Sequence, residues 1–140
     1  MVIHFSTPPF WILHFAARPW IRILDAMEAE WELVDEGPFK VMRLGGRWEL
    51  MHHFELHEIF EQLLQEDPPW IILNLAAVDH ISSSIVGAFV RLSRDARQKG
   101  GWVSLVALSQ SVRFSLQMLQ LDDLFLIHRS EQEAMQQTSN

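Results

Sequence analysis

The alternation of hydrophobic and polar residues from position 31 onward predicts two short strands joined by a turn. "EWELV" and "FKVMRL" both alternate as a strand with one buried face does. Between them stands "DEGP", whose Gly37 and Pro38 favour a tight turn. The pattern predicts a β-hairpin. Gly45 and Gly46 indicate a bulge or a close backbone approach at the end of its second strand.

Apolar residues at intervals of three and four predict amphipathic helices later in the chain. The first helix is expected to end at "EDPP", and its buried face would carry Leu56, Ile59, Phe60, Leu63 and Leu64. The second is expected to end at Gly100 and Gly101, with a buried face of Ile85, Phe89, Leu92 and Ala96. A third would begin at Ser109 and carry Val112, Leu116 and Leu119. A fourth would begin with a capping box formed by Ser130 and Glu133.

Continuous apolar runs predict the remaining strands. "WIILNLAAV" is typical of a central strand that is buried on both faces of a parallel sheet, and "WVSLVAL" and "LFLIH" predict two more strands. Residues 70–108 would then form a strand–helix–strand unit with parallel strands. The predicted order is β-β-α-β-α-β-α-β-α, an α/β fold with one mixed sheet of four to five strands.

Composition excludes several classes of function. The chain has 140 residues, 49% hydrophobic and 21% charged, which fits one ordinary globular domain. It contains no cysteine, which excludes thiol chemistry and fits a reducing compartment. A formal net charge of −7 with 11 basic residues argues against nucleic-acid binding, because neutralising phosphates requires clustered Lys and Arg. Protein partners and a cytoplasmic location are therefore expected.

The first 24 residues are apolar, but their pattern is not that of a targeting segment. No basic region precedes them, and Pro8 and Pro9 interrupt them, so neither a signal peptide nor a span of about 20 apolar residues is predicted. We expect residues 1–30 to form an extension that docks its Phe and Trp side chains on the domain or across a homodimer. The alternative is contact of residues 1–24 with lipid headgroups through Trp11, Arg18, Trp20 and Arg22.

A run of three serines, Ser82, Ser83 and Ser84, follows the predicted central strand in "NLAAVDHISSSIVGAF". One hydroxyl is enough to cap the second helix, which stabilises it by about 1 kcal/mol relative to alanine. The other hydroxyls leave room for a further role, because loops at the carboxyl ends of parallel strands are exposed and commonly carry function. The serine run is therefore the candidate functional site.

Residues 31 to 136 resemble the STAS domain of bacterial anti-sigma-factor antagonists, and residues 31–140 are taken as the domain. In that family a hydrophobic strand with Asp or Asn leads to Asp-Ser-Ser-Gly-Leu-Gly at the start of a helix. A basic helix, a Gly-rich turn, a strand such as "VSLVAL" and a Leu-rich helix running into "LDDLF" follow. The resemblance implies the STAS fold and a bacterial regulator of transcription.

The resemblance assigns roles to positions of this chain. It implies that Ser84 is the phosphorylated serine, with Ser83 as second choice. Asn74 and Gly46 match the two strand positions of the family. The implied partner-binding residues are Glu49, Ser82, Ser83, Ser84, Ile85, Val86 and Gly87. Two of them depart from the family, since Ser82 stands in place of Asp and Ile85 in place of Gly.

The function that the resemblance implies is a protein-binding switch without catalytic activity and without cofactor. The domain would dock on an anti-sigma factor that has serine kinase activity, and a serine phosphatase would reverse the phosphorylation. The alternative is a STAS subunit that binds the ATPase of a lipid-trafficking ABC transporter.

Histidines suggest two other chemistries, and both are weaker hypotheses. His80 precedes the serines, but a hydrolase would also need an orienting acid, an oxyanion hole and a Gly-x-Ser-x-Gly turn. His53 and His57 are four residues apart, which places two imidazoles on one helix face as metal ligands would be placed. A solvated pair at a helix start is the preferred interpretation, and neither catalytic nor metal-binding residues are predicted.

Overall fold

In the computed structural model, which describes residues 2–4 and 29–137, the strands form a mixed six-stranded sheet. The strands are β1 (Val2–His4), β2 (Glu30–Glu36), β3 (Phe39–Trp48), β4 (Trp70–Ile81), β5 (Trp102–Val106) and β6 (Leu126–His128). The helices are α1 (His53–Leu63), α2 (Ser83–Gln98), α3 (Gln110–Met118) and α4 (Glu131–Gln136). Short 3₁₀ turns at Leu50–His52 and Asp122–Leu124 precede α1 and β6.

The strands lie side by side in the order in which they occur along the chain. β1, β2 and β3 pair antiparallel, whereas β3, β4, β5 and β6 pair parallel. Trp48 at the end of β3 stands opposite Ile81 at the end of β4, so both strands reach the same edge of the sheet. We call this the carboxyl edge. It is where β4 enters α2.

The predicted element order is confirmed from residue 30 to residue 136. The sheet has one strand more than expected because residues 2–4 of the predicted extension pair with β2. Residues 5–28 lie outside the described part, so the docking of their aromatic side chains, their contact with lipid and a homodimer through them stay predictions. The irregularity expected near Gly45 and Gly46 is confirmed, since the pairing of β3 with β4 shifts register there.

Helices cover the two faces of the sheet unequally. On one face α1, α2 and α3 enclose the larger core, to which β4 contributes Ile71, Leu73 and Leu75. On the other face α4 covers a smaller cluster that includes Ile72 and Ala134. Alternate residues of β4 therefore enter different cores, which confirms the strand buried on both faces.

A polar network fastens α4 to the sheet. The Arg43 guanidinium donates from Nε and Nη2 to the two carboxylate oxygens of Glu131, each at 2.8 Å, and from Nη1 to Glu32 Oε1 at 3.0 Å. The Asn74 amide donates to Glu131 Oε2 at 2.6 Å. The hydrogen bond from Arg43, followed by the bond from Asn74 and the charge of Arg43, holds the pKa of Glu131 below its ordinary value although burial opposes this. The carboxylate form is thus stabilised by folding.

We expect Glu131→Gln to lower the free energy of unfolding at pH 7 by about 2 kcal/mol, because hydrogen bonds to charged groups are lost. The pKa of Glu131 is lower in the folded chain, so its contribution is present above the ordinary value of 4.5 and is lost as the pH falls through the folded-state pKa. Urea unfolding at pH 7 and at about pH 3 measures this, and the difference between wild type and variant should shrink at the lower pH.

Glu133→Gln is the matched control, because Glu133 is exposed on the same helix. Its own backbone N–H donates to the Ser130 hydroxyl at 3.1 Å, a bond that does not involve the carboxylate. This bond confirms the serine half of the predicted capping box. An equal loss for both variants, or a loss that does not vary with pH, would contradict the role given to Glu131.

Candidate functional site

The serine run lies at the carboxyl edge, where β4 turns into α2. The Ser82 N–H donates to the Trp48 carbonyl at 2.9 Å, which fastens the loop to the end of β3. Ser82 has extended backbone geometry, and its hydroxyl accepts a hydrogen bond from the Ile85 N–H at 3.4 Å. Ser82 is therefore the residue that caps α2, as one of the three serines was expected to be.

The three hydroxyls have different surroundings. Ser82 Oγ and Ser84 Oγ are 2.9 Å apart, so one donates to the other. Ser83 is exposed and Ser84 is half-buried in the first turn of α2. The Ser84 hydroxyl is thus reachable from solvent and is held by a neighbouring hydroxyl. A carboxylate at position 82 would accept the Ser84 proton more strongly than this hydroxyl does.

Ile85 and Val86, two of the implied partner-binding residues, are buried. Their exposed fractions are 0% and 2%, and both belong to the larger core. The helix period explains this, because these positions face the sheet when Ser83 and Gly87 face outward. Gly87 is exposed, and an added Cβ there would meet nothing within 4 Å. The accessible part of the predicted surface therefore consists of the serines, Gly87 and the half-buried Glu49.

Glu49 stands beside the serine loop because it follows Trp48 directly. Its carboxylate lies 3.1 Å from Arg47 Nη2 and 4.0 Å from His80 Nε2. Its N–H donates to His52 Nδ1 at 3.0 Å, which fixes the start of the 3₁₀ turn. His80 therefore pairs with an acid, and no bond among the described residues joins it to a serine hydroxyl. The geometry does not assemble a serine–histidine nucleophile.

A groove of about 230 Å³ runs between α1 and α2 and begins at Ser84. Its charged and polar lining consists of His53, His57, Glu61, Ser84, Arg91 and Asp95. His57 Nε2 lies 3.8 Å from Glu61 Oε1. In the part of the chain that the structure describes, no cluster of three or more His, Asp or Glu side chains has the geometry of a metal site.

Exposed apolar side chains flank the serine loop, and the sequence patterns missed them. One set, on the 3₁₀ turn before α1 and the start of that helix, is Leu50, Met51 and Phe54, with exposed fractions of 70%, 80% and 73%. The second set is Phe114 and Met118 on α3 with Leu119 at its C-terminal cap, and together with Ser83 and Val86 it lines a groove of about 260 Å³. We call these sets the α1 patch and the α3 patch.

The prediction that Leu119 lies on the buried face of α3 is wrong, since the side chain is 50% exposed. α3 ends at Met118, and Leu119 is its C-terminal cap, so the helical period no longer directs this side chain toward the core. Phe114 and Met118, four residues apart and off the buried stripe, were the signal that could have revealed the α3 patch.

No helix in the described ranges combines the length and the hydropathy needed to cross a bilayer. No curated protein sequence matches the chain. Among solved structures, an anti-sigma-factor antagonist domain protein from Planctomyces limnophilus has a TM-score of 0.72 at 18% identity and covers 79% of this chain and 98% of its own.

Two further solved structures share the fold. An anti-sigma-factor antagonist from Mycobacterium paratuberculosis has a TM-score of 0.72 at 16% identity, over 81% of this chain and 96% of its own. Unphosphorylated SpoIIAA, a cell fate determinant of Bacillus, has a TM-score of 0.67 at 22% identity, over 78% and 96%. The STAS domain model matches residues 33–134. With the fold and the matched range in agreement, the chain belongs to the STAS domain family.

Proposed function

We propose that this protein is an anti-sigma-factor antagonist, a non-enzymatic switch of transcription that acts by binding. The single observation that carries the proposal is the placement of Ser84, a solvent-reachable hydroxyl in the first turn of α2 between two exposed apolar patches. SpoIIAA, which has the same fold, is known in an unphosphorylated and a phosphorylated form. These neighbours do not favour the alternative of a subunit bound to a transporter ATPase.

The proposed partner is an anti-sigma factor with serine kinase activity, which meets the protein at the carboxyl edge in the cytoplasm. Apolar side chains as exposed as those of the α1 and α3 patches are typical of surfaces that a partner covers. The serines and Gly87 between the patches supply a polar strip with little bulk, so that a partner approaches the helix start closely. Glu49 and its pairs with Arg47 and His80 form the polar rim.

Phosphorylation would break this contact through charge and desolvation. The kinase would transfer the γ-phosphoryl group of ATP to Ser84 Oγ, releasing ADP and the hydroxyl proton. The phosphoserine carries a charge of about −1.5 to −2. This charge would have to lose its hydration water when a partner covers the surface. The fold would persist, because the free N–H groups and dipole of a helix N-terminus tolerate an anion. A serine phosphatase would restore the docking form.

The experiment is a phosphorylation assay with a serine-kinase anti-sigma factor that binds this protein in a pull-down. With ATP, intact mass should rise by one phosphate in the wild type and not at all in Ser84→Ala. We expect Ser84→Asp to bind the kinase at least about tenfold more weakly in calorimetry, equivalent to about 1.4 kcal/mol. Ser83→Ala is the matched control, because its hydroxyl is the neighbouring exposed one.

Two results would overturn the phosphorylation switch: no phosphate on the wild type, or an unchanged mass gain in Ser84→Ala. If Ser83→Ala alone abolishes the increase in mass, the phosphorylated residue is Ser83, the second choice. Wild-type affinity in Ser84→Asp would show that charge at this position does not control docking.

A further inference from the structure

The groove between α1 and α2 begins at the same end as the serine loop. β3 and β4 are parallel and end opposite each other, so the helices that follow them both start at the carboxyl edge. His53 is the first residue of α1 and Ser84 is the second of α2, and both line the groove. Farther along, Lys99 Nζ donates to the Leu64 carbonyl, so the two helices remain together to their other ends.

Arg91 follows Ser84 by seven residues, which returns it to the same side of α2 about 10.5 Å along the axis. Helix side chains lean toward the N-terminus, so the long Arg91 side chain leans back toward Ser84. Between them the helix offers only Gly87 and Ala88 to this groove. Because Gly87 and Ala88 are small, the groove has space between Ser84 and Arg91 for a phosphate and a guanidinium to approach each other.

We propose that this groove receives the phosphate of phosphorylated Ser84, with the Arg91 guanidinium as its counter-charge and the His53 and His57 imidazoles as hydrogen-bond donors. The proposal rests on the proposed function only for the source of the phosphate. The structure contributes a groove that opens at the acceptor, one permanent cation and two imidazoles on the facing helix. Arg91 takes part in no ion pair among the described residues, so its guanidinium is available.

The charges that face the phosphate come from three elements. α1 presents His53, His57 and Glu61, and α2 presents Arg91 and Asp95. The end of β3 places Glu49, with Arg47 and His80, beside the serine loop, and the loop itself presents the neutral Ser82 hydroxyl, which already contacts Ser84 Oγ. Glu61 and Asp95 follow His57 and Arg91 by four residues each, so they lie one turn farther from the carboxyl edge. Arg91 and the two imidazoles are therefore nearer to the acceptor, and repulsion by the two acids would keep the phosphate at that end.

We call this groove with its three side chains the receiver, because contacts with them would hold the phosphate in place. A phosphate held along the groove is also turned away from solvent. The same contacts that retain it would slow its removal by a phosphatase.

The test uses the full chain with phosphoserine encoded genetically at position 84, so that it does not require the kinase. Phosphorus NMR follows the second ionisation of the phosphate, which is ordinarily near pH 6. We expect its midpoint to lie about one pH unit lower than in the same protein carrying His53→Gln, His57→Gln and Arg91→Gln. Arg94→Gln is the control, because Arg94 is on the same helix but lines a different groove.

Histidine signals provide a second measurement that a change in folding alone would not reproduce. Phosphorylation should change the imidazole chemical shifts of His53 and His57, which line the groove, while those of His128 on β6 stay unchanged. The proposal would be overturned if the phosphate had the same titration midpoint in the parent and in the triple variant. It would also be overturned if Arg94→Gln changed this midpoint as much as the triple substitution does. If the kinase does not phosphorylate Ser84, but genetically encoded phosphoserine shows the expected changes in the phosphate and histidine signals, the proposed function is wrong and the proposed phosphate site is supported.

Discussion

Gly101→Ala is expected to lower the free energy of unfolding by about 3 kcal/mol or more, a large part of the 5–15 kcal/mol that a domain usually has. A Cβ at Gly101 would lie 2.7 Å from the Pro69 carbonyl carbon and closer still to its oxygen. That oxygen accepts the hydrogen bond of the Trp102 N–H at 3.0 Å, which begins the pairing of β4 with β5. Backbone atoms cannot move aside, so the strands must separate at this point.

Gly87→Ala is the matched control for Gly101→Ala. Gly87 lies inside α2, and an added Cβ meets nothing within 4 Å. Because glycine is unfavourable within a helix, alanine should stabilise the protein by about 0.5–1 kcal/mol. Urea unfolding at pH 7 measures both variants. If Gly101→Ala is as stable as wild type, the close approach to Pro69 does not constrain the fold.

Trp48→Ala is expected to cost about 3–5 kcal/mol, the range for removing a large buried aromatic side chain. Trp48 is 0% exposed, and its indole N–H donates to the Gly45 carbonyl at 3.0 Å. The indole also meets the His52 ring edge-on, with ring centroids 5.6 Å apart. Since the Trp48 carbonyl holds the Ser82 N–H, the cavity would also loosen the serine loop.

Chemical denaturation measures the Trp48 loss, and amide hydrogen exchange at Ser82 measures the loosening. Trp48→Phe removes only part of the volume and the indole donor, so its loss should be smaller, about 2 kcal/mol. Trp70→Ala removes a half-buried indole at the opposite end of the parallel strands and should leave exchange at Ser82 unchanged. Equal exchange in Trp48→Ala and wild type would contradict the link to the loop.

Local patterns were enough to predict the order of the elements. The periods of 3.6 and 2 residues reflect burial within one element, and serines 82, 109 and 130 each cap a helix through a bond to a residue three positions later. Even the burial of Ile85 followed from periodicity. The family resemblance placed Ile85 on the partner surface, and the structure places it in the core.

What the sequence could not predict depends on contacts between distant residues. Arg43 and Glu131 are 88 positions apart, and nothing local to either residue indicates that they pair. The α1 patch lies on the 3₁₀ turn at Leu50–His52 and on the start of α1, outside the buried apolar stripe from which that helix was predicted. The groove beside Ser84 needs α1 and α2 to start at one edge, a consequence of strand register.

The hydrogen bonds from Arg43 and Asn74 that hold α4 on the sheet can form only late in synthesis on the ribosome. Arg43 and Asn74 are made early, but the carboxylate that satisfies them is made 88 and 57 residues later. At about 5–20 residues per second, their hydrogen bonds to Glu131 cannot form for several seconds. During that interval α1, α2 and α3 can already cover their face of the sheet, while the face under α4 is still open. The order of synthesis therefore allows the serine edge to assemble while one apolar face is still uncovered.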